Sequence, residues 1–166
     1  MNIYSYIILN TYKTMPFSII SILSIVSVTP IMPTGSEEIA PLLGVISLTF
    51  WILYKPELTG WIPTIVIGII NDVLYGSMLG VSCLAAVIIR IMIIRLIYNR
   101  EINLMITFIC LGLSLIIWLL VNNIFRGLFY PDLYNYYNLI FQFLVSIVIS
   151  PIAVFFQLFL LKKMSI

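Results

Sequence analysis

The feature that most limits the fold of this chain is its succession of long apolar runs. Each run is longer than a typical strand, and none shows the alternation expected of an outer-membrane barrel. Of the 166 residues, 63% are hydrophobic and 8% are charged, whereas a soluble domain has roughly 25% charged residues. So few charges cannot cover a water-facing surface, and helices are the remaining way to satisfy backbone groups in lipid. The sequence therefore predicts an all-α integral membrane protein.

Charged and turn-forming residues divide the chain into six apolar segments. These segments predict a single polytopic membrane domain with six transmembrane helices that covers residues 1–166. The second and third segments are shorter than the roughly 20 residues that a full span needs. A re-entrant hairpin is one interpretation of these two, but Lys55, Pro56 and Glu57 between them favour two short spans. The predicted spans are approximately residues 16–32, 39–54, 61–75, 79–98, 102–125 and 138–161.

The distribution of lysine and arginine predicts the orientation in the membrane, because basic residues concentrate in cytoplasmic loops. With the N-terminus inside, Arg126 is the only basic residue in a predicted outer loop, and Glu37, Glu38 and Asp132 are outside with it. Together with the even number of spans, this predicts that both termini are cytoplasmic. The basic residues at predicted cytoplasmic ends are Lys13, Lys55, Arg95, Arg100, Lys162 and Lys163.

The residue types present argue against an enzyme, a metalloprotein and a nucleic-acid-binding protein. The chain has no histidine, and its two cysteines, Cys83 and Cys110, stand alone in apolar runs, as small core residues do. The sequence contains no serine–lysine or cysteine–histidine arrangement and no phosphate-binding loop. The net charge of +2 is too small to indicate nucleic acid. We therefore expect no catalytic residues, no metal and no cofactor.

The stretch IINDVLYGSMLG places a carboxylate inside an apolar segment. Gly68, Asp72, Gly76 and Gly80 are spaced by four residues, so that the first three lie along one helix face. Glycine on such a face lets a neighbouring helix approach closely, and Gly76 is suited to end the third span with a positive φ angle. Asp72 has two interpretations. It is an acceptor that caps a neighbouring helix or bonds its own turn, or it is a contact for a partner, an ion or a substrate.

A longer pattern around this stretch, APLLGVISLTFWILYKPELTGWIPTIVIGIINDVLYGSMLG, resembles the central signature of the rod shape-determining protein MreD family. A proline opens the second span, a tryptophan lies within it, and a proline follows in the inner loop. A glycine then precedes an aspartate by four residues, before a glycine–serine turn. The resemblance covers roughly residues 40–95. The matching residues are Pro41, Trp51, Pro56, Gly68, Asp72, Gly76, Ser77 and Gly80.

The resemblance implies a non-catalytic subunit of the machinery that elongates bacterial cells. Proteins of this family lie in the bacterial inner (plasma) membrane. They partner the bitopic protein MreC and, through it, the peptidoglycan synthases and the actin-like MreB filaments. Their architecture is similar to that of the substrate-binding S components of energy-coupling-factor vitamin transporters. We therefore expect an S-component-like bundle that scaffolds MreC.

The alternative hypothesis is a true S component that binds a vitamin or a similar small molecule. It requires a polar pocket near the outer face, lined by Asn122, Asn123, Arg126 and the loop RGLFYPDLYNYYN at residues 126–138. The tyrosines of that loop are also typical of an aromatic belt at the outer interface. A third interpretation of the loop is a docking surface for an extracytoplasmic partner.

Arg90 is an unusual residue for its depth, about eleven residues into the fourth span. An arginine there forms an ion pair inside the bundle or extends to the interface, and a partner or ligand site is the alternative. Asp72 is a candidate counter-ion. However, Arg90 is expected to lie about 10 Å or more deeper at 1.5 Å per residue, which argues against a direct bond.

Serines recur every three residues in the first span, at Ser18, Ser21, Ser24 and Ser27. Small hydroxyl side chains let helices pack closely and can bond the carbonyl four residues earlier. Packing is therefore the expected role of this stripe, and a docking face for a partner's membrane helix is the alternative.

Overall fold

The structure, a computed structural model, describes residues 3–29, 40–98, 101–129 and 136–164. Within these residues the chain forms six helices and no strand, so the predicted all-α fold is confirmed there. The helices are α1 (Ile3–Val28), α2 (Leu43–Tyr54), α3 (Trp61–Tyr75), α4 (Val81–Ile97), α5 (Leu104–Phe129) and α6 (Tyr136–Met164).

Two of the described helices, α5 and α6, are long and apolar enough to cross a membrane by length and composition. Helices α2 and α3 are also apolar but have only 12 and 15 residues. At 1.5 Å per residue they are about 18 and 22 Å long, less than the roughly 30 Å of a hydrocarbon core. By length and composition, two of the described helices are therefore candidate membrane spans.

Three helices extend past the predicted spans, and one of them, α6, exceeds the predicted residues 138–161 at both ends. Helix α1 begins at Ile3, ahead of the predicted start at residue 16, and includes Pro16. Helix α5 continues beyond the predicted end at residue 125 to Phe129, because no proline interrupts it before Pro131. The placement of Arg126 in an outer loop was therefore wrong. It lies in the last turn of α5, where a positive charge is favoured by the helix dipole.

The short helix α2 lies at the centre of the bundle. Every residue from Gly44 to Leu53 is buried, and α2 packs against α1, α4, α5 and α6. The other helices follow one another around it in the order α1, α3, α4, α5, α6. Trp51 is fully buried, and its ring meets that of Phe50 edge-on at a centroid distance of 5.7 Å. The almost wholly apolar sequence of α2 suits this position, since all of its faces are covered.

Polar contacts fix both ends of α2. The N–H of Leu42, just before the helix, donates to Oγ of Ser146 on α6 at 3.1 Å. The N–H of Leu43 donates to Oγ of Ser27 on α1, also at 3.1 Å. At the other end, the hydroxyl of Tyr54 lies 3.1 Å from that of Thr107 on α5. Because unpaired polar groups are costly in lipid, these bonds hold the central helix at one depth.

The ring of outer helices is open between its first and last members. Among the described residues, α1 and α6 make at most isolated contacts with each other. Helix α6 packs on α2 and α5 and turns its opposite side outward. This side, here called the α6 outer face, consists of the exposed residues Phe141, Val148, Ile152, Phe155 and Phe159.

Candidate functional site: the corner between α3 and α4

Helices α3 and α4 cross in direct backbone contact at Gly68. A Cβ atom added to Gly68 would lie 2.4 Å from the Cα of Cys83, closer than Cβ atoms come to backbone in real proteins. The close approach expected of a glycine at this position is therefore present, and it depends on the missing side chain. The segment from Gly68 to Cys83 is called the α3–α4 corner below.

The chain reverses at the corner through two glycines with positive φ. Gly76 ends α3 with φ 61°, and its N–H donates to the carbonyl of Asp72. Gly80 precedes α4 with φ 102°. Both values lie in the region that glycine adopts at little cost. The expectation that Gly76 ends this helix with a positive φ is confirmed.

The carboxylate of Asp72 lies inside this corner, with 1% of the residue exposed. Its Oδ1 accepts hydrogen bonds from the hydroxyl of Ser77 at 2.7 Å and from the N–H of Ser82 at 2.8 Å. Its Oδ2 accepts one from the N–H of Gly80 at 2.7 Å. These short distances are typical of hydrogen bonds to a charged acceptor.

Asp72 caps helix α4 from the end of helix α3. Gly80 is the N-cap of α4 and makes no side-chain cap of its own. The first N–H groups of a helix need an acceptor, and negative charge is stabilised at this end by the helix dipole. Asp72 meets both needs, so the geometry is that of the capping interpretation. The result is a two-helix unit that one carboxylate holds together.

Arg90 lies toward the opposite end of the α3–α4 pair and is 5% exposed. Its guanidinium donates to the carbonyl oxygens of Thr59 and Pro56 in the loop between α2 and α3. It also lies 5.1 Å from the ring centroid of Trp61. The long side chain therefore extends along the α3–α4 pair to the α2–α3 loop. Carbonyl oxygens, and not the candidate counter-ion Asp72, accept the hydrogen bonds of this arginine, which keeps its positive charge.

The residues of the family signature fall into three places in the structure. Pro41 lies just before α2, and Trp51 lies in the core of that helix. Pro56 offers its carbonyl to Arg90 from the α2–α3 loop. The other signature residues lie in the α3–α4 corner: Gly68, Asp72, Gly76, Ser77 and Gly80.

Comparison with known proteins identifies the family. The model of the rod shape-determining protein MreD family matches residues 9–164, nearly the whole chain. The chain belongs to the MreD family. The corner, the central helix and the loop bound by Arg90 all lie within the matched range. No curated protein and no solved structure was found to match the chain.

MreD-family proteins are shape-determining membrane proteins and are generally non-catalytic. In the corner of this chain, the oxygens of the Asp72 carboxylate accept hydrogen bonds from a hydroxyl and two backbone N–H groups. Among the described residues, no three histidine, cysteine or acidic side chains come together. Cys110 is buried and Cys83 is half-buried, and both are free thiols.

The asparagines and the arginine proposed for a small-molecule pocket lie in the last two turns of α5. The side-chain nitrogen of Asn122 donates to the carbonyl of Trp118 in its own helix at 3.0 Å. Asn123 is half-buried, and Arg126 is exposed at the end of α5. Residues 130–135 of the tyrosine-rich loop lie outside the described residues. The pocket of the S-component hypothesis therefore stays a prediction.

The serine stripe of α1 divides between two environments in this MreD-family protein. Ser24 and Ser27 are buried, whereas Ser18 is exposed and Ser21 is half-buried. Ser24 lies so close to Gly44 of α2 that a Cβ atom there would clash with its Oγ. A spacing of three residues drifts around a helix, which has 3.6 residues per turn, so the stripe cannot remain on one face. The packing interpretation therefore fits the two buried serines, Ser24 and Ser27.

Three groups of the site were not predicted from the sequence. Ser82 contributes its backbone N–H, and Thr59 its carbonyl, so neither depends on a recognisable side chain. Trp61 provides the ring beside Arg90. The sequence could have indicated this residue, because an aromatic residue that begins a short helix directly after a charged loop is typical of a membrane interface.

Proposed function

We propose that this MreD-family protein is a non-catalytic, multi-pass subunit of the cell-elongation complex in the bacterial inner membrane. It holds MreC in the membrane and, through MreC, connects the peptidoglycan synthases with MreB filaments. The observation that carries this proposal is the family match over residues 9–164. The α3–α4 corner supports a structural role, because its buried carboxylate joins two helices.

In this proposal all six helices cross the membrane and both termini are cytoplasmic. Short helices can cross when the bilayer thins locally or when charged flanking residues extend to the interface. Arg90 does the latter, since it reaches the α2–α3 loop that also contains Lys55. That bond draws α4 toward the loop predicted to be cytoplasmic. The other charged loop residues used for the orientation, Glu37, Glu38, Arg100 and Asp132, lie outside the described residues.

The mechanism is geometric: a rigid bundle keeps its outer faces in fixed relative positions. Asp72 fixes α3 to α4 at one end of the pair, and Arg90 fixes α4 to the α2–α3 loop at the other. Helix α2 joins four of its neighbours through a fully buried surface. A partner that binds one outer face is therefore held in a defined orientation to the rest of the complex.

We place the membrane helix of MreC on the α6 outer face. Helix α6 ends the open ring, so a partner helix gains access to it without displacing a neighbour. The face is apolar and contains three phenylalanines, Phe141, Phe155 and Phe159, together with Val148 and Ile152. In lipid, helices associate largely by van der Waals packing, which this apolar face can provide.

Site-specific photo-crosslinking tests this placement. A photo-reactive amino acid is introduced at Val148 or Ile152 of the full chain in cells, and adducts with MreC are detected after irradiation. Ile109 on α5 is the control, since it is 51% exposed but lies on another helix. We expect MreC adducts from the two α6 positions and few from Ile109. Adducts from Ile109 alone would contradict the α6 placement, and no MreC adduct from any exposed position would contradict the partnership.

A further inference from the structure

A groove opens on the outside of the bundle where α3 begins and α4 ends. It has a volume of about 540 Å³ and is lined by Trp61, Ile91, Ile94, Arg95 and Tyr98. We propose that this groove binds one anionic phospholipid, with the phosphate at Arg95 and an acyl chain along α4. This inference goes beyond the proposed scaffold function and does not require MreC.

The charge of the groove favours an anionic headgroup. Arg95 is exposed, and within the described part of the chain it makes no hydrogen bond or ion pair that would neutralise it. Arg90 places a second positive charge beside the wall of the groove, 5.1 Å from the ring centroid of Trp61. Lys55 and Glu57 are both exposed in the neighbouring loop, and their opposite charges add nothing to the net charge near the groove. The groove therefore offers a net positive site for a phosphate group.

The positive end of α3 adds to this field. The helix begins at Trp61, and its N-cap, Gly60, makes no side-chain cap. The first N–H groups of a helix attract anions when no side chain satisfies them. The end of α3 therefore reinforces the arginines, although it would not constitute a site by itself.

The apolar side chains near the groove favour a lipid over a free phosphate ion. Leu84, Ile88 and Ile91 form an exposed stripe on α4 that leads toward Arg95. From Leu84 to Arg95 the helix rises about 16 Å at 1.5 Å per residue. One leaflet contributes about half of a hydrocarbon core of roughly 30 Å, so the stripe matches the length of one acyl chain. Trp61 and Tyr98 lie at the end of the stripe, where aromatic residues mark the headgroup level.

Native mass spectrometry of the purified full chain tests the charge requirement. The protein is titrated in detergent with dioleoyl phosphatidylglycerol or dioleoyl phosphatidylcholine. We expect preferential binding of phosphatidylglycerol, weakened about fivefold in Arg95→Gln, as about 1 kcal/mol for each basic residue implies. Arg126→Gln removes an exposed arginine at the end of α5 and should leave binding unchanged. Equal losses in the two variants would overturn the assignment to this groove.

A second variant tests the groove without changing charge. Ile94→Trp fills the groove with a large side chain and should reduce phosphatidylglycerol binding, whereas Ile109→Trp on the exposed side of α5 should not. Displacement of the lipid by inorganic phosphate would identify a phosphate site instead. Equal retention of both lipids by every variant would show an adventitious lipid only. None of these readouts uses MreC, so their failure is distinguishable from failure of the scaffold proposal.

Discussion

The carboxylate of Asp72, near the end of α3, accepts a hydrogen bond of 2.8 Å from the backbone N–H of Ser82 in the first turn of α4. One side chain thereby joins the C-terminal end of one helix to the N-terminal end of the next. A buried N–H without an acceptor costs free energy, and the cost is higher where water is excluded. The corner therefore depends on a buried carboxylate, although a carboxylate is usually found at a protein surface.

Substitution of Asp72 measures the contribution of this cap. Asp72→Asn keeps one acceptor but turns an NH₂ group toward a backbone N–H donor, and Asp72→Ala removes all three bonds. We expect each to lower the free energy of unfolding by about 2–4 kcal/mol, the sum of a lost cap and unpaired buried groups. Denaturant titration of the purified protein in detergent gives the values. The control is Glu57→Gln, which changes an exposed acid in the α2–α3 loop. If the Asp72 variants lowered the free energy of unfolding no more than this control does, the capping role would be contradicted.

Two glycines in helices provide a matched pair for the close crossing. Gly68→Ala places a Cβ atom 2.4 Å from the Cα of Cys83, so α3 and α4 must separate. Gly112→Ala on α5 meets nothing within 4 Å and removes a weak helix former. We expect Gly68→Ala to lower the free energy of unfolding by about 1–3 kcal/mol. Gly112→Ala should leave the free energy of unfolding unchanged or raise it. A larger loss in Gly112→Ala than in Gly68→Ala would contradict the close crossing.

Gly76 separates backbone strain from crowding. A Cβ atom at this position meets nothing within 4 Å, but φ is 61°. Gly76→Ala should therefore cost only about 1–2 kcal/mol, the penalty of the left-handed conformation. Gly76→Asn should cost less, since asparagine adopts this region more readily. A branched residue, in Gly76→Val, should cost the most, and equal unfolding free energies for all three variants would rule out the strain.

Arg90 and Asp72 should act independently, because each has its own partners at different ends of the helix pair. Arg90→Met leaves the carbonyls of Thr59 and Pro56 without their donor, and we expect a loss of about 1–3 kcal/mol. In a double-mutant cycle with Asp72→Asn, the coupling energy should be within about 0.5 kcal/mol of zero. Exchanging the two charges should not restore stability. A large coupling energy, or rescue by the exchange, would show that the two residues pair.

The predictable parts of this fold are those determined by composition and local backbone preference. Few charges and long apolar runs predicted a helical membrane protein, and the glycine after Tyr75 predicted where α3 ends. Gly68 and Asp72 could be assigned to one helix face from their spacing. The acceptor role of Asp72 was one of two alternatives, because spacing does not reveal which donors surround a carboxylate.

The remaining parts depend on tertiary contacts that no local pattern encodes. The central position of α2 follows from burial on all sides, and an apolar run looks the same whether protein or lipid covers it. The sequence left several alternatives for Arg90, and it could not identify the carbonyl oxygens of Thr59 and Pro56 as its hydrogen-bond acceptors. The end of α5 was placed too early, because Arg126 was taken as a loop residue when a charge near an interface need not interrupt a helix.

Co-purification of MreC with the Asp72→Ala variant, expressed at wild-type level in the membrane of a strain lacking the native protein, tests the central claim most directly. The account predicts that the variant recovers much less MreC than wild type and that the cells become round. Glu57→Gln should recover MreC normally and maintain rods. Rod-shaped cells and full recovery of MreC with Asp72→Ala would contradict the claim that the capped corner holds the bundle in the form that its partner binds.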